Sequence, residues 1–217
     1  MIRRVYQQAL KCRDLNDVIV ATDDERIAGE VKKHGGKAVI TASGHKSGTE
    51  RCNEVISMLP VKYDAVINIQ GDEPFLDPGQ ISEIAQCFTN PDVMIATLAK
   101  RINDPEEVFN PDVVKAIFDK NSKALYFSRQ PIPFVRGQDP GNWFKEARYF
   151  RHVGIYGYRP SILEEITMLP ESELEKAESL EQLRWLENGY TIHIKETEFD
   201  SFAIDSPADL LKITNRS

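Results

Sequence analysis

Residues 65–74, "AVINIQGDEP", run as a short aliphatic stretch and then stop on Gly71, Asp72, Glu73 and Pro74, two carboxylates framed by two chain-breakers. The run 65–69 lacks polar alternation and so reads as a strand buried on both faces, as in a parallel sheet. Residues 18–21 (VIVA), 38–41 (AVIT) and 94–98 (MIATL) read the same way. Between them, residues 24–34, 48–59 and 79–88 have helical spacing, and Gly35-Gly36 and Pro60 mark two helix ends. Strands alternating with helices of this length imply right-handed βαβ units and a layered α/β domain with a mainly parallel sheet.

The pattern changes near residue 110. Residues 113–118, 124–128 and 152–158 read as strands with no long helix between them, and the Pro/Gly-rich segment 130–143, "QPIPFVRGQDPGNW", separates two of them. This predicts a mixed-sheet insertion over about residues 110–160 within one domain spanning 1–217. Helices follow at 161–169 and 180–187 and a strand at 191–195. A closing helix is expected from Pro207, capped by Ser206.

Bulk composition narrows the function classes. A chain of 217 residues, 41% hydrophobic and 28% charged, is long enough to bury one sizeable core. Its net charge of −7 argues against a general nucleic-acid surface, which needs massed Lys and Arg. No apolar run reaches the roughly 18 residues that span a bilayer, and the first residues lack a signal peptide's apolar centre. No membrane association and a cytoplasmic location are the expectations. Cys12, Cys52 and Cys87 form neither a CxxC pair nor a Cys/His cluster, so they are read as buried or idle thiols.

In an open α/β sheet, ligands gather beyond the carboxyl ends of the strands, where Gln70, Gly71 and Asp72 stand. Gly71 allows close backbone approach, and the Asp72 carboxylate suits Mg²⁺, which takes one or two carboxylates completed by waters and phosphate oxygens. Alone, Asp72 reads as readily as a solvated turn residue. Asp205, in "FAIDSPADL" (202–210), again sits between an apolar stretch and a helix start. Two such carboxylates can hold a metal against a triphosphate, although Asp205 also suits the positive end of a helix dipole.

The strings "HKSGTER" (45–51), "NIQGDEP" (68–74), "ALYFSR" (124–129), "RHVGIYGYR" (151–159), "SLEQLRWLENG" (179–189) and "AIDSPADL" (203–210), in this order and spacing, resemble the 3-deoxy-manno-octulosonate (Kdo) cytidylyltransferases. The resemblance implies a three-layer, mainly parallel sheet of the nucleotide-diphospho-sugar transferase type. It implies transfer of CMP from CTP to Kdo with Mg²⁺, for lipopolysaccharide biosynthesis, by a homodimer paired through the mixed-sheet insertion. It places the metal on Asp72 and Asp205, the nucleotide near Ser47, Gly48, Arg51 and Gln70, and the sugar acid among Arg129, His152, Tyr156, Glu181 and Gln182. Arg129 would pair with the sugar's carboxylate in a fork, and His152, Glu181 and Gln182 would supply hydrogen bonds. Glu181 and Gln182 are equally the polar side of an amphipathic helix whose apolar side is Leu180, Leu183 and Leu186. His152 is equally a satisfied core residue.

Two other functions compete: a nucleotidyltransferase for sialic acid or a sugar 1-phosphate, and a non-enzymatic nucleotide-binding module. The family resembled here begins with a strand and a phosphate-cradling loop, whereas this sequence opens at "MIRRVYQQAL", and neither GxGxxG nor GxxxxGK[ST] occurs in it. The expectation is an apolar slot beside strands that lack a ladder partner, with weak CTP binding and little turnover if the chain truly starts at Met1.

Overall fold

The computed structural model describes residues 1–200. Helix α1 (Ile2–Ala9) is followed by β1 (Ile19–Thr22), α2 (Glu25–Lys33), β2 (Lys37–Ile40), α3 (Gly48–Met58), β3 (Val66–Asn68), α4 (Pro78–Cys87) and β4 (Ile95–Arg101). The chain continues through α5 (Pro105–Phe109), β5 (Lys115–Phe118), β6 (Ala124–Ser128), α6 (Trp143–Glu146) and β7 (Phe150–Tyr158). It then forms α7 (Pro160–Thr167), α8 (Glu173–Glu178), α9 (Glu181–Glu187) and β8 (Ile192–Glu196). The expected Ser206 cap, the helix from Pro207 and Asp205 lie outside the described residues.

Local chemistry starts and stops these elements. Asp24, Ser47, Asp77, Asp104 and Ser172 each accept a backbone N–H in the first turn of the helix they precede. Gly35 at φ +76° takes the left-handed conformation just past α2, which a side chain would strain.

The strands form a six-stranded sheet ordered β6-β5-β7-β4-β8, with β3 paired to β7, and a separate two-stranded sheet of β1 and β2. β1 and β2 are parallel, as are β4 and β8, while β7 runs antiparallel to β3, β4 and β5. Strands β3, β4, β5 and β8 therefore share one direction, against β7 and β6. One edge of β7 is taken by β4 along its length; the other meets β5 at Arg151 and β3 from Tyr156 to Tyr158.

Two apolar clusters sandwich the sheet. On one side Leu163 and Ile166 of α7 with Leu183 and Trp185 of α9 pack on Ile95, Ala99, Tyr158 and Ile194. On the other, Ile81 and Ile84 of α4 with Ala9 of α1 pack on Ala96, Leu98, Val153 and Ile155. Neighbouring β4 residues alternate between the clusters, the two-residue period of a strand. Gly157 of β7 lies against α4, where an added Cβ would stand 2.5 Å from Phe88 and 2.6 Å from Ile84. A third, smaller cluster of Ile102, Val108, Trp143 and Tyr149 forms beside the sheet.

Strands β1 and β3 depart from the expectation of burial on both faces. Two of the four residues of β1 and all three of β3 are only half-buried, and β2 has two half-buried and two exposed residues, because β1 pairs only with β2 and β3 only with β7 among the described residues. Their other edges border one cleft, floored by Ile2, Val5 and Ala9 of α1 and Cys52 and Val55 of α3.

Candidate active site

The carboxyl end of β3 meets the start of α3. An added Cβ at Gly48 would lie 3.1 Å from Nδ2 of Asn68, so glycine lets the first residue of α3 seat on the end of β3 without displacing that side chain. Ser47 caps that helix by accepting the Glu50 amide at 3.3 Å. Arg51 donates to Oγ1 of Thr41 and the Ala42 carbonyl and lies 3.4 Å from Oδ1 of Asp23. The ends of β1, β2 and β3 are thus tied to one helical turn.

A bulge in β7 forms the facing wall. The β4 register jumps from Thr97 opposite Tyr156 to Leu98 opposite Val153, leaving Gly154 and Ile155 without partners on β4. The Thr97 hydroxyl fills the gap, 3.1 Å from the Val153 carbonyl, 2.8 Å from that of Ile155 and 3.0 Å from Nε2 of His152. With its hydrogen directed to either carbonyl, the Thr97 oxygen can accept from His152, an arrangement that puts the neutral imidazole's proton on Nε2 and leaves Nδ1 an acceptor. The Gly154 carbonyl accepts from Nε2 of Gln70 at 3.4 Å, joining the bulge to the segment after β3.

Burial against Phe127 and Tyr156 pushes the His152 imidazole down to about 4. His152 nevertheless borders the cavity and is only half-buried as a residue, so water reaching the cavity would lessen this depression. Burial, with Tyr158 and Glu181 nearby, raises the Tyr156 phenol well above its usual value.

Helix α9 contributes Glu181 and Gln182. Glu181 accepts from Oγ1 of Thr49 at 2.8 Å and from Nη2 of Arg184 at 2.9 Å. Gln182 is 5% exposed, and its Nε2 has no hydrogen-bond partner among the described residues. The pair is therefore not simply the solvated side of an amphipathic helix.

Gly48, Arg51, Gln70, Asp72, His152, Tyr156, Glu181 and Gln182 share the wall of one cavity of about 1040 Å³, continuous with the cleft between β1 and β3. Ser47 and Arg129 stand outside that wall. Arg129 donates its Nε to the Glu178 carbonyl at 2.8 Å and Nη1 to the Pro111 carbonyl at 3.1 Å, so the expected fork does not have Nε free. Asp205 lies outside the described residues.

Oδ1 of Asp72 is buried and has no hydrogen-bond partner among the described residues. A buried carboxylate oxygen without a donor is costly unless a cation or donor completes it, and a single carboxylate with phosphate and water oxygens is a donor set Mg²⁺ accepts. No group of three or more His, Cys, Asp or Glu side chains suited to a metal occurs among the described residues. The fit to Mg²⁺ thus rests on Asp72.

A family model described as "Cytidylyltransferase" matches residues 1–195. The 3-deoxy-manno-octulosonate cytidylyltransferase of Cytophaga hutchinsonii is 49% identical over 218 residues, covering 100% of this chain and 87% of that protein. The enzyme of the same name from Bacteroides thetaiotaomicron is 49% identical, covering 97% of this chain and 84% of its own length. The chain belongs to the 3-deoxy-manno-octulosonate cytidylyltransferase family. A solved CMP:2-keto-3-deoxy-manno-octonic acid synthetase complexed with CTP superposes with a TM-score of 0.91 at 40% identity, covering 99% of this chain and 86% of that one. The 4-diphosphocytidyl-2C-methyl-D-erythritol synthase of Anaerococcus prevotii, at a TM-score of 0.63 and 12% identity, shares the nucleotidyltransferase-like α/β fold.

Sequence reading passed over several residues that shape the cavity. Thr97 gave no signal because its role depends on a register shift. Thr49 lies within "SGTER" but is hidden as an ordinary helix residue. Helix α8 carried a legible sign, the capping box of Ser172 and Glu175, and was missed because it is only 6 residues long.

Proposed function

We propose that this chain, a cytidylyltransferase by family, transfers CMP from CTP to the anomeric hydroxyl of 3-deoxy-manno-octulosonate, serving lipopolysaccharide biosynthesis in the cytoplasm. The observation that carries the reading is the single cavity that joins the unpartnered Asp72 carboxylate, the first turn of α3 and the polar groups of β7 and α9. The hydroxyl oxygen of the sugar acid bonds to the α-phosphorus as the α–β phosphoanhydride breaks; pyrophosphate leaves with the bonding pair, and the hydroxyl proton passes to solvent. Such chemistry depends on positioning and charge neutralisation rather than on a side-chain nucleophile.

On the nucleotide side, Gly48, Arg51 and Gln70 border the cavity and Ser47 fixes the helix start. On the sugar side, Nδ1 of His152 and Glu181 accept hydrogen bonds from hydroxyls, and Nε2 of Gln182 donates one. Arg129, pinned by two carbonyls, retains Nη2 for the substrate carboxylate. Asp72, with Asp205, would hold Mg²⁺, which neutralises phosphate charge when bound. We further propose that two copies pair through the insertion, where Phe134 is 69% and Phe109 45% exposed beside Trp143. Sedimentation of a Phe134→Ser variant as a monomer, with the parent a dimer, tests that pairing.

Coupled pyrophosphate release is the test of activity, with CTP, Mg²⁺ and in turn Kdo, sialic acid and a sugar 1-phosphate, for this chain and one extended upstream. Where either chain turns over, Kdo is the expected substrate. Turnover with another sugar and none with Kdo would overturn the reading.

A further inference from the structure

Thr49 occupies the second position of α3, between Gly48 and Arg51, yet its side chain turns away from solvent: the residue is 2% exposed. Its hydroxyl donates to Oε2 of Glu181, 132 residues along the chain and at the head of α9. The other Glu181 oxygen is held by Arg184, whose Nη1 donates to the Leu169 carbonyl at 3.0 Å and whose Nε lies 3.3 Å from Glu175. Arg184 is 6% exposed, so this side of the carboxylate is anchored in protein. Thr49 is the bond from the opposite side, and both Thr49 and Glu181 border the cavity.

A carboxylate gripped from both sides in a half-buried setting keeps one orientation and still has lone pairs for ligand hydroxyls. The grip from α3 comes from the turn whose start is wedged against Asn68. A displacement of that turn therefore moves Glu181, and Glu181 borders the same space as Gln182 and His152.

We propose that Thr49 is a positioning residue for the sugar-acid subsite: through its hydroxyl, the helix turn on the nucleotide side of the cavity sets the Glu181 carboxylate. This rests on the functional reading above, which places the sugar acid at Glu181. It adds a residue to which the resemblance assigns no role.

Calorimetric titration of the chain with Kdo, and separately with CTP and Mg²⁺, tests it. Thr49→Val keeps the shape and removes the donor; Thr49→Ser keeps the donor. The expectation is about a tenfold weaker Kdo affinity for Thr49→Val, near-parental affinity for Thr49→Ser, and CTP affinity within about threefold of the parent. In a Glu181→Ala background, Thr49→Val should add nothing, a result that general loss of packing would not give. If Thr49→Val fails to fold, Thr49→Cys, with only a weak S–H donor, takes its place against Thr49→Ser. Equal losses in the Val and Ser variants, or additive losses on Glu181→Ala, would overturn the role. A parent chain that binds CTP but not Kdo would instead overturn the functional reading, and this proposal with it.

Discussion

The hydroxyl of Thr97 and Nε2 of His152 lie 3.0 Å apart across the bulge that separates the β4 and β7 registers. Thr97 thereby closes a gap in the ladder and orients an imidazole at the cavity wall. Thr97→Val preserves volume but strands the Val153 and Ile155 carbonyls and the His152 N–H. Leaving buried polar groups unmade costs on the order of 1–3 kcal/mol, so urea unfolding should show a loss of about 2–3 kcal/mol. A variant as stable as the parent would mean that the hydroxyl is dispensable to the bulge.

His152 also makes stability depend on pH. Its folded value, about 4, lies below the ordinary 6.5. As pH falls through 6.5 the unfolded chain takes up a proton that the folded chain refuses, so stability drops between pH 6.5 and 4 and levels below that. The loss is at most about 3 kcal/mol at 1.36 kcal/mol per pH unit, less to the extent that water enters the cavity. His193, also lowered by burial and Lys195, acts in the same direction. Urea unfolding of His152→Asn across this range should show a shallower slope than the parent, and an identical slope would count against the assignment.

Asp72 should trade stability against activity. Its buried, unpartnered oxygen makes Asp72→Asn neutral or stabilising in metal-free protein, because an amide carries no charge to desolvate. Mg²⁺ should raise the melting temperature of the parent and not of the variant. Turnover should fall by about 100-fold or more. A variant that retains turnover and the Mg²⁺ shift would remove Asp72 from the metal site.

Gly157 offers a test of the layer packing alone. A methyl there would stand well inside contact distance of Ile84 on α4 and of Phe88 just past its end. Overpacking of a dense core costs typically 1–3 kcal/mol. Gly157→Ala should lower the urea midpoint accordingly and leave the relative affinities for CTP and Kdo unchanged.

The layered frame was legible because its information is local: short aliphatic runs for β1 to β4, helical spacing between them, and Gly35 at the end of α2. The place of Gln70 and Asp72 at a strand end was legible for the same reason, whereas Gly48 entered only through the family strings. What escaped is non-local. Nothing near Thr97 announces that β7 slips past it, and nothing near Arg129 says that carbonyls of Glu178 and Pro111 will occupy two of its nitrogens. The half-exposed state of β3 follows from which strands stand beside it, a property of pairing rather than of composition.

The long strand β7 is gripped by β4 on both sides of its bulge, by β5 near its start and by β3 near its end. Its two halves thus report to different neighbourhoods: Arg151 sits in the ladder leading to the insertion, and Tyr156 in the ladder leading to Gln70 and Asp72. One strand thus serves as backbone to both neighbourhoods, and the bulge at Gly154 and Ile155 is the seam that divides them.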